Sequence, residues 1–99
     1  MIYLKKEEDL KKYIEKDLIL VDFYANWCGP CQLLTKELET LEKDRPDLEI
    51  VKVDVDKFEN LARQYNIYSI PDLKVFKNGK QVNESIGYVT SDALKKLLD

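Results

Sequence analysis

The eight residues from Leu18 to Ala25, LILVDFYA, leave this chain few ways to fold. The run is β-rich and apolar on both alternating sets of side chains, which suits a strand buried on both faces of its sheet. Such a strand requires helices above and below it. Only Asp22 interrupts the run. With 99 residues, 44% of them apolar, the chain is long enough for one core built this way and too short for two. A single domain spanning 1–99 is therefore expected.

The remaining pattern fills in that layered arrangement. Met1 to Leu4 reads as a short first strand. Leu48 to Val55 reads as another, with Val51, Val53 and Val55 on one face and Leu48, Ile50 and Lys52 on the other. Leu73 to Phe76 and Gln81 to Ile86 form a hairpin in which Asn78-Gly79 supplies the positive φ angles of a tight turn. Apolar residues at helical spacing mark four helices: Leu10, Tyr13 and Ile14; Leu34, Leu38 and Leu41; Phe58, Leu61, Ala62 and Tyr65; Leu94, Leu97 and Leu98. Asp56 with Glu59 has the spacing of a capping box, and Thr90 or Ser91 can cap the last helix. Alternating strands and helices impose parallel crossovers, and the hairpin adds antiparallel pairing. The expected fold is α/β, a mixed five-stranded sheet flanked by four helices.

Charge narrows the function classes. The 16 basic and 19 acidic residues are interspersed, for a net charge of −3, and form no nucleic-acid or anionic-membrane footprint. The N-terminus turns charged at Lys5, so no stretch has the length of a signal-peptide core or a membrane span.

The chemistry concentrates in Trp27-Cys28-Gly29-Pro30-Cys31, between the apolar strand and the helix carrying Leu34. A cysteine at a helix N-terminus faces unpaired N–H groups and the positive end of the dipole, which favour thiolate over thiol. Cys28 is the nucleophile on this reading. Cys31, one turn on, comes within the Cα separation a disulfide needs, so the pair can open and close. A zinc site would need about four ligands, and the chain has no His and no other Cys. A purely structural disulfide across so short a loop would remove little chain entropy. Two incidental buried thiols fit poorly with the strand-to-helix setting.

Nearly the whole chain resembles the thioredoxin family. The resemblance rests on WCGPC after VDFYAN, on Ile70-Pro71, on FKNG at Phe76 to Gly79 and on Gly87 after the last strand. It implies the thioredoxin fold and a protein disulfide reductase that cycles a Cys28–Cys31 disulfide. It also implies disulfide-containing protein substrates and re-reduction by a thioredoxin reductase using NADPH, with no cofactor or metal held by the chain itself. A cytoplasmic monomer is the matching expectation.

A carboxylate within an apolar strand is costly unless it has a partner or a task. Alternation sets Asp22 on the face of Leu20 and Tyr24, and the resemblance implies that it lies buried beneath Cys31, where it would exchange a proton with that thiol. The alternative is an aspartate in a solvated gap. Lys52 matches the family's lysine near that aspartate, or else snorkels to the surface. Pro71 is tolerated at a strand start because it lacks a donor. The resemblance further implies a cis Ile70–Pro71 bond against the cysteines and an Ile70 backbone that pairs with an extended substrate. Trp27, Gly29, Pro30, Ile70, Pro71, Ile86 and Gly87 would form the low-relief surface around Cys28, unless Trp27 belongs to the core.

Five positions depart from the family pattern. Lys36 replaces a helix-kinking proline, Asp72 follows Pro71 where Thr is usual, Tyr24 replaces a common Trp, and Tyr68-Ser69 replaces a basic-glycine pair. Asp72 is expected to bring a negative charge close to the cysteines and to influence partner choice. Two rival functions are weighed against the reductase. A secretory oxidase or isomerase commonly has His between its cysteines and a signal peptide, neither present here. A pure binding module would have no use for both cysteines and Asp22.

Overall fold

A computed structural model describes residues 1–99. Five strands, β1 (Ile2–Tyr3), β2 (Leu18–Tyr24), β3 (Glu49–Asp54), β4 (Asp72–Lys77) and β5 (Lys80–Ile86), form one sheet in the order β1-β3-β2-β4-β5. β1 and β2 both run parallel to β3, while β4 is antiparallel to β2 and β5 to β4. The helices are α1 (Leu10–Ile14), preceded by a 3-10 turn at Glu7–Asp9, α2 (Gly29–Asp44), α3 (Glu59–Gln64) and α4 (Ser91–Leu97). No helix is long and apolar enough to cross a membrane.

β2 is the central strand and is buried on both faces, as its composition demands. Ile19, Val21 and Phe23 pack beneath α1 and α3 with Leu10, Val53 and Leu61. Leu20 faces the other way, into a layer built from Leu34, Leu38 and Leu41 of α2, Ile50, Leu73 and Leu94. Those three α2 leucines are fully buried, and truncation of such a side chain to alanine costs about 2–5 kcal/mol. Lys36 continues α2 without a break.

The hairpin turns at Asn78 (φ 52°) and Gly79 (φ 85°) as the Asn-Gly pair dictates. β4 and β5 both extend beyond their apolar pattern, and their register slips between Val75 and Phe76, leaving Val82 as an extra, exposed residue on β5. A bulge of this kind shortens the regular ladder at a sheet edge. Thr90 caps α4, its Oγ1 accepting from the Ala93 N–H at 3.3 Å.

The expected capping box at Asp56 and Glu59 does not form. α3 starts at Glu59 with Phe58 before it and no side-chain cap. Asp54 acts instead: its Oδ1 accepts from the backbone N–H groups of Asp56 and Lys57, tightening the exit from β3 into a turn. The Asp56 carboxylate is then free for another partner, Trp27.

Candidate active site

The sharp exit from β2 into α2 positions the cysteines. Cys28 is the last extended residue, with φ −87° and ψ 109°, and it occupies the N-cap of α2. Gly29 and Pro30 fill the first helical positions, where proline's missing N–H costs nothing and its fixed φ suits the helix. The Cys31 N–H points at the Cys28 sulfur, donating to Sγ at 3.2 Å. The two residues form a disulfide with a Cα separation of 5.2 Å. Both are buried against Ala25, Tyr24, Val55 and Ile70. An N–H aimed at the sulfur is a ready donor for the charge that appears there on reduction.

Around this disulfide lies an apolar, low-relief surface. Trp27 is 72% exposed, so it is no part of the core, and its indole N–H donates to Asp56 Oδ2 at 2.8 Å. That bond holds the ring over the α3 side of the site. The Ile70–Pro71 bond is cis. The Pro71 carbonyl accepts from the Gly87 N–H at 2.8 Å, and Gly87 adopts φ 95°, a conformation that favours glycine. Ile86 and Tyr68 stand exposed on the same rim. Between Trp27, Val55, Ala62, Ile67, Tyr68 and Ile70 runs a groove of about 340 Å³.

Behind the cysteines lies the polar element. Asp22 and Lys52 stand directly opposite each other in the β2–β3 register. Asp22 is wholly inaccessible and neither of its oxygens has a hydrogen-bond partner. It does not sit in a solvated gap. Burial pushes its carboxyl up to about 6, with the nearby Lys52 charge opposing the rise. Lys52 is also enclosed, with its Nζ 3.6 Å from Asp22 Oδ2, so it does not snorkel. The ammonium donates to Thr35 Oγ1 at 2.7 Å and lies over the rings of Tyr24 (4.6 Å) and Tyr3 (5.4 Å). A cavity of about 180 Å³, lined by Cys31, Thr35, Lys52 and the two tyrosines among others, connects Cys31 with the lysine; Asp22 lies behind Lys52 and does not line it. The cavity is roomy and polar enough for a few waters. Thr35 and Tyr3 carry no motif that marks them in the sequence as parts of this group. Thr35 does have a detectable signal, its place one helical turn after Cys31.

Asp72 is where the structure corrects expectation. Its side chain lies on the β4 face that carries Lys74 and Phe76, is almost fully buried and approaches Lys74 Nζ at 3.8 Å. Lys74 also binds Glu84 of β5 at 2.6 Å. Burial first, then the neighbouring Glu84, raises the Asp72 carboxyl to about 6. Asp72 is thus the floor of a separate polar pocket of about 520 Å³ beside Tyr68 and Ser69, and presents no open charge to an incoming partner.

With this geometry in view, the comparisons with known proteins agree. The family model for Thioredoxin matches residues 1–99. A thioredoxin of Chlamydia trachomatis serovar D is 43% identical over 98 residues, covering 99% of this chain and 96% of that protein. One of Bacillus subtilis strain 168 is 42% identical over 83 residues, covering 83% and 80%. Among solved structures, a mutant thioredoxin from Halobacterium salinarum NRC-1 superposes with a TM-score of 0.90 at 40% identity, over 98% of this chain and 86% of that one. A thioredoxin from Plasmodium falciparum superposes with a TM-score of 0.90 at 33% identity, over 99% and 96%.

Proposed function

The chain belongs to the thioredoxin family, and from that premise we propose a full catalytic cycle in which its dithiol reduces protein disulfides and is recharged by a thioredoxin reductase. Members of the family are thiol-disulfide oxidoreductases, and the Cys28–Cys31 disulfide is the redox-active pair of this chain. The observation that carries the cycle is the N-cap position of Cys28, with the Cys31 N–H directed at its sulfur.

In the reduced protein the Cys28 thiolate attacks one sulfur of a substrate disulfide. The substrate S–S bond breaks, a Cys28–substrate bond forms, and the departing thiolate takes a proton from solvent. Asp22 then accepts the Cys31 proton through water, the cavity beside Cys31 reaching Lys52, whose ammonium lies 3.6 Å from the carboxylate. The Cys31 thiolate attacks Cys28 and expels the second substrate thiolate, so two electrons pass to substrate and the Cys28–Cys31 disulfide remains. Lys52 tunes Asp22 by its charge. Trp27, Gly29, Pro30, Ile86 and Gly87 form the docking rim, and the Ile70 backbone ahead of Pro71 pairs with an extended segment of substrate. The reductase draws on NADPH and returns the electrons. A cytoplasmic monomer suits this cycle, because the reducing poise of that compartment keeps the dithiol form populated.

The direct test is reduction of a disulfide-bonded model protein, with NADPH and a bacterial thioredoxin reductase as the electron source, measured from pH 5 to pH 9. NADPH consumption that depends on both this protein and the substrate is expected, with an inflection near pH 6 that Asp22→Asn removes. Absence of turnover with chemical reductant as well as with reductase would refute the disulfide-reductase cycle. An unchanged pH profile in Asp22→Asn would refute the proton role alone.

A further inference from the structure

Thr35 lies one turn after Cys31 on α2 and is hydrogen-bonded both to that residue's backbone and to Lys52. Its hydroxyl donates to the Cys31 carbonyl at 3.2 Å and accepts from Lys52 Nζ at 2.7 Å. A hydroxyl has one hydrogen. With that hydrogen committed to the Cys31 carbonyl, the oxygen lone pairs are left for the ammonium. The Lys52–Thr35 bond is therefore short, whereas the ammonium stays 3.6 Å from Asp22 Oδ2 and forms no hydrogen bond with it. An enclosed ammonium and carboxylate left to themselves close to about 2.7–2.9 Å. Here the ammonium is shared among Thr35 and the faces of Tyr24 and Tyr3.

We propose that the Thr35 hydroxyl is a positioning group that holds the Lys52 ammonium off Asp22, keeping that carboxylate free to exchange a proton with Cys31. The last clause rests on the proton role proposed for Asp22; the positioning itself does not. Lys52 opposes the effect of burial on Asp22, and a charge acts more strongly the closer it lies. Thr35 thus limits how far Lys52 can drain proton affinity from the carboxylate. Because its anchor is the Cys31 carbonyl, the setting of the lysine is tied to the helical turn that carries the resolving cysteine.

The test compares Thr35→Val, which removes the hydroxyl and keeps the branched shape, with Thr35→Ser, which keeps the hydroxyl. The Asp22 carboxyl is followed by carbon-13 NMR titration in the oxidised protein, where no turnover occurs. In Thr35→Val the midpoint should fall by about one pH unit, roughly a tenfold lower protonated fraction at pH 7. Thr35→Ser should titrate as the wild type does. The same two variants are then made together with Lys52→Met, where the Thr35→Val shift should vanish because it acts through the lysine. A Thr35→Val midpoint that stays put or rises, or a shift that survives Lys52→Met, would overturn the positioning role. A lowered midpoint with an unmoved pH profile of disulfide reduction would uphold that role and overturn the proton role of Asp22.

Discussion

Cys28→Ser should abolish disulfide reduction, with a loss of at least about 10³-fold, whereas Cys31→Ser should turn the protein into a covalent trap for its substrates. The difference follows from the helix N-terminus. Cys28 occupies the N-cap with an N–H directed at its sulfur, while Cys31 is held one turn inside α2, deeper beneath the rim. A serine at 28 lacks a thiolate at neutral pH and cannot begin the exchange. A serine at 31 leaves the first attack intact and removes only the group that releases the mixed disulfide. Non-reducing gels followed by mass spectrometry would read both outcomes directly. Adducts expected with Cys31→Ser should run as discrete bands that collapse on adding dithiothreitol, and Cys28→Ser should give none. Release of reduced substrate by Cys31→Ser at the wild-type rate would eliminate the two-cysteine cycle.

Asp22→Asn should stabilise the protein at pH 8 by about 2–3 kcal/mol relative to its effect at pH 4. The folded carboxyl is raised to about 6 by burial, against 3.8 for an exposed aspartate. Below pH 3.8 both folded and unfolded chains hold the proton, and the buried group carries no charge. Between 3.8 and 6 the unfolded chain ionises first, so stability begins to fall as pH rises. Above 6 the folded carboxylate ionises too, and the loss reaches its full size. Asparagine cannot ionise, so the variant escapes the loss. Any cost of burying its amide is the same at both pH values and cancels in the difference. Lys52 loses a counter-ion but keeps its bond to Thr35 and its place over two aromatic rings. Asp72, also raised to about 6, contributes to the pH dependence of both proteins and cancels in the same way. Urea unfolding of wild type and variant at the two pH values measures the quantity. Equal stability differences at pH 4 and pH 8 would mean that Lys52 compensates the buried charge in full.

Burial of a carboxylate only partly compensated by a lysine, behind a redox pair, follows a familiar trade. Stability is given up at a position where, in the proposed cycle, a proton is taken and returned near neutral pH. Neither Asp22 nor Asp72 would be tolerated as a generic core residue. Asp72 is offset by Lys74 within its own strand and by the link from there to Glu84. Asp22 likewise faces a single lysine, at 3.6 Å against 3.8 Å for Asp72, and both carboxylates keep oxygens without a hydrogen-bond partner; what sets Asp22 apart is its place opposite Lys52, which lines the cavity beside Cys31.

Much of this is legible without coordinates, because it depends on residues close together in the chain. The burial of β2 on both faces follows from LILVDFYA, the hairpin turn from Asn78-Gly79, and the closable dithiol from two cysteines one helical turn apart after a strand. Each signal is carried by side-chain period or backbone conformation within a few positions. The capping box at Asp56 fails for a related reason: its spacing is local, but Trp27 and Asp54 compete for the groups involved, and Trp27 lies 29 positions away. The Asp22–Lys52 opposition, the Thr35 bond that holds the lysine and the turning of Asp72 toward Lys74 and Glu84 are decided only by tertiary structure. Strand register across the β2–β3 crossover and the docking of α2 against β3 arise from the packing of the whole core, and no local period records them.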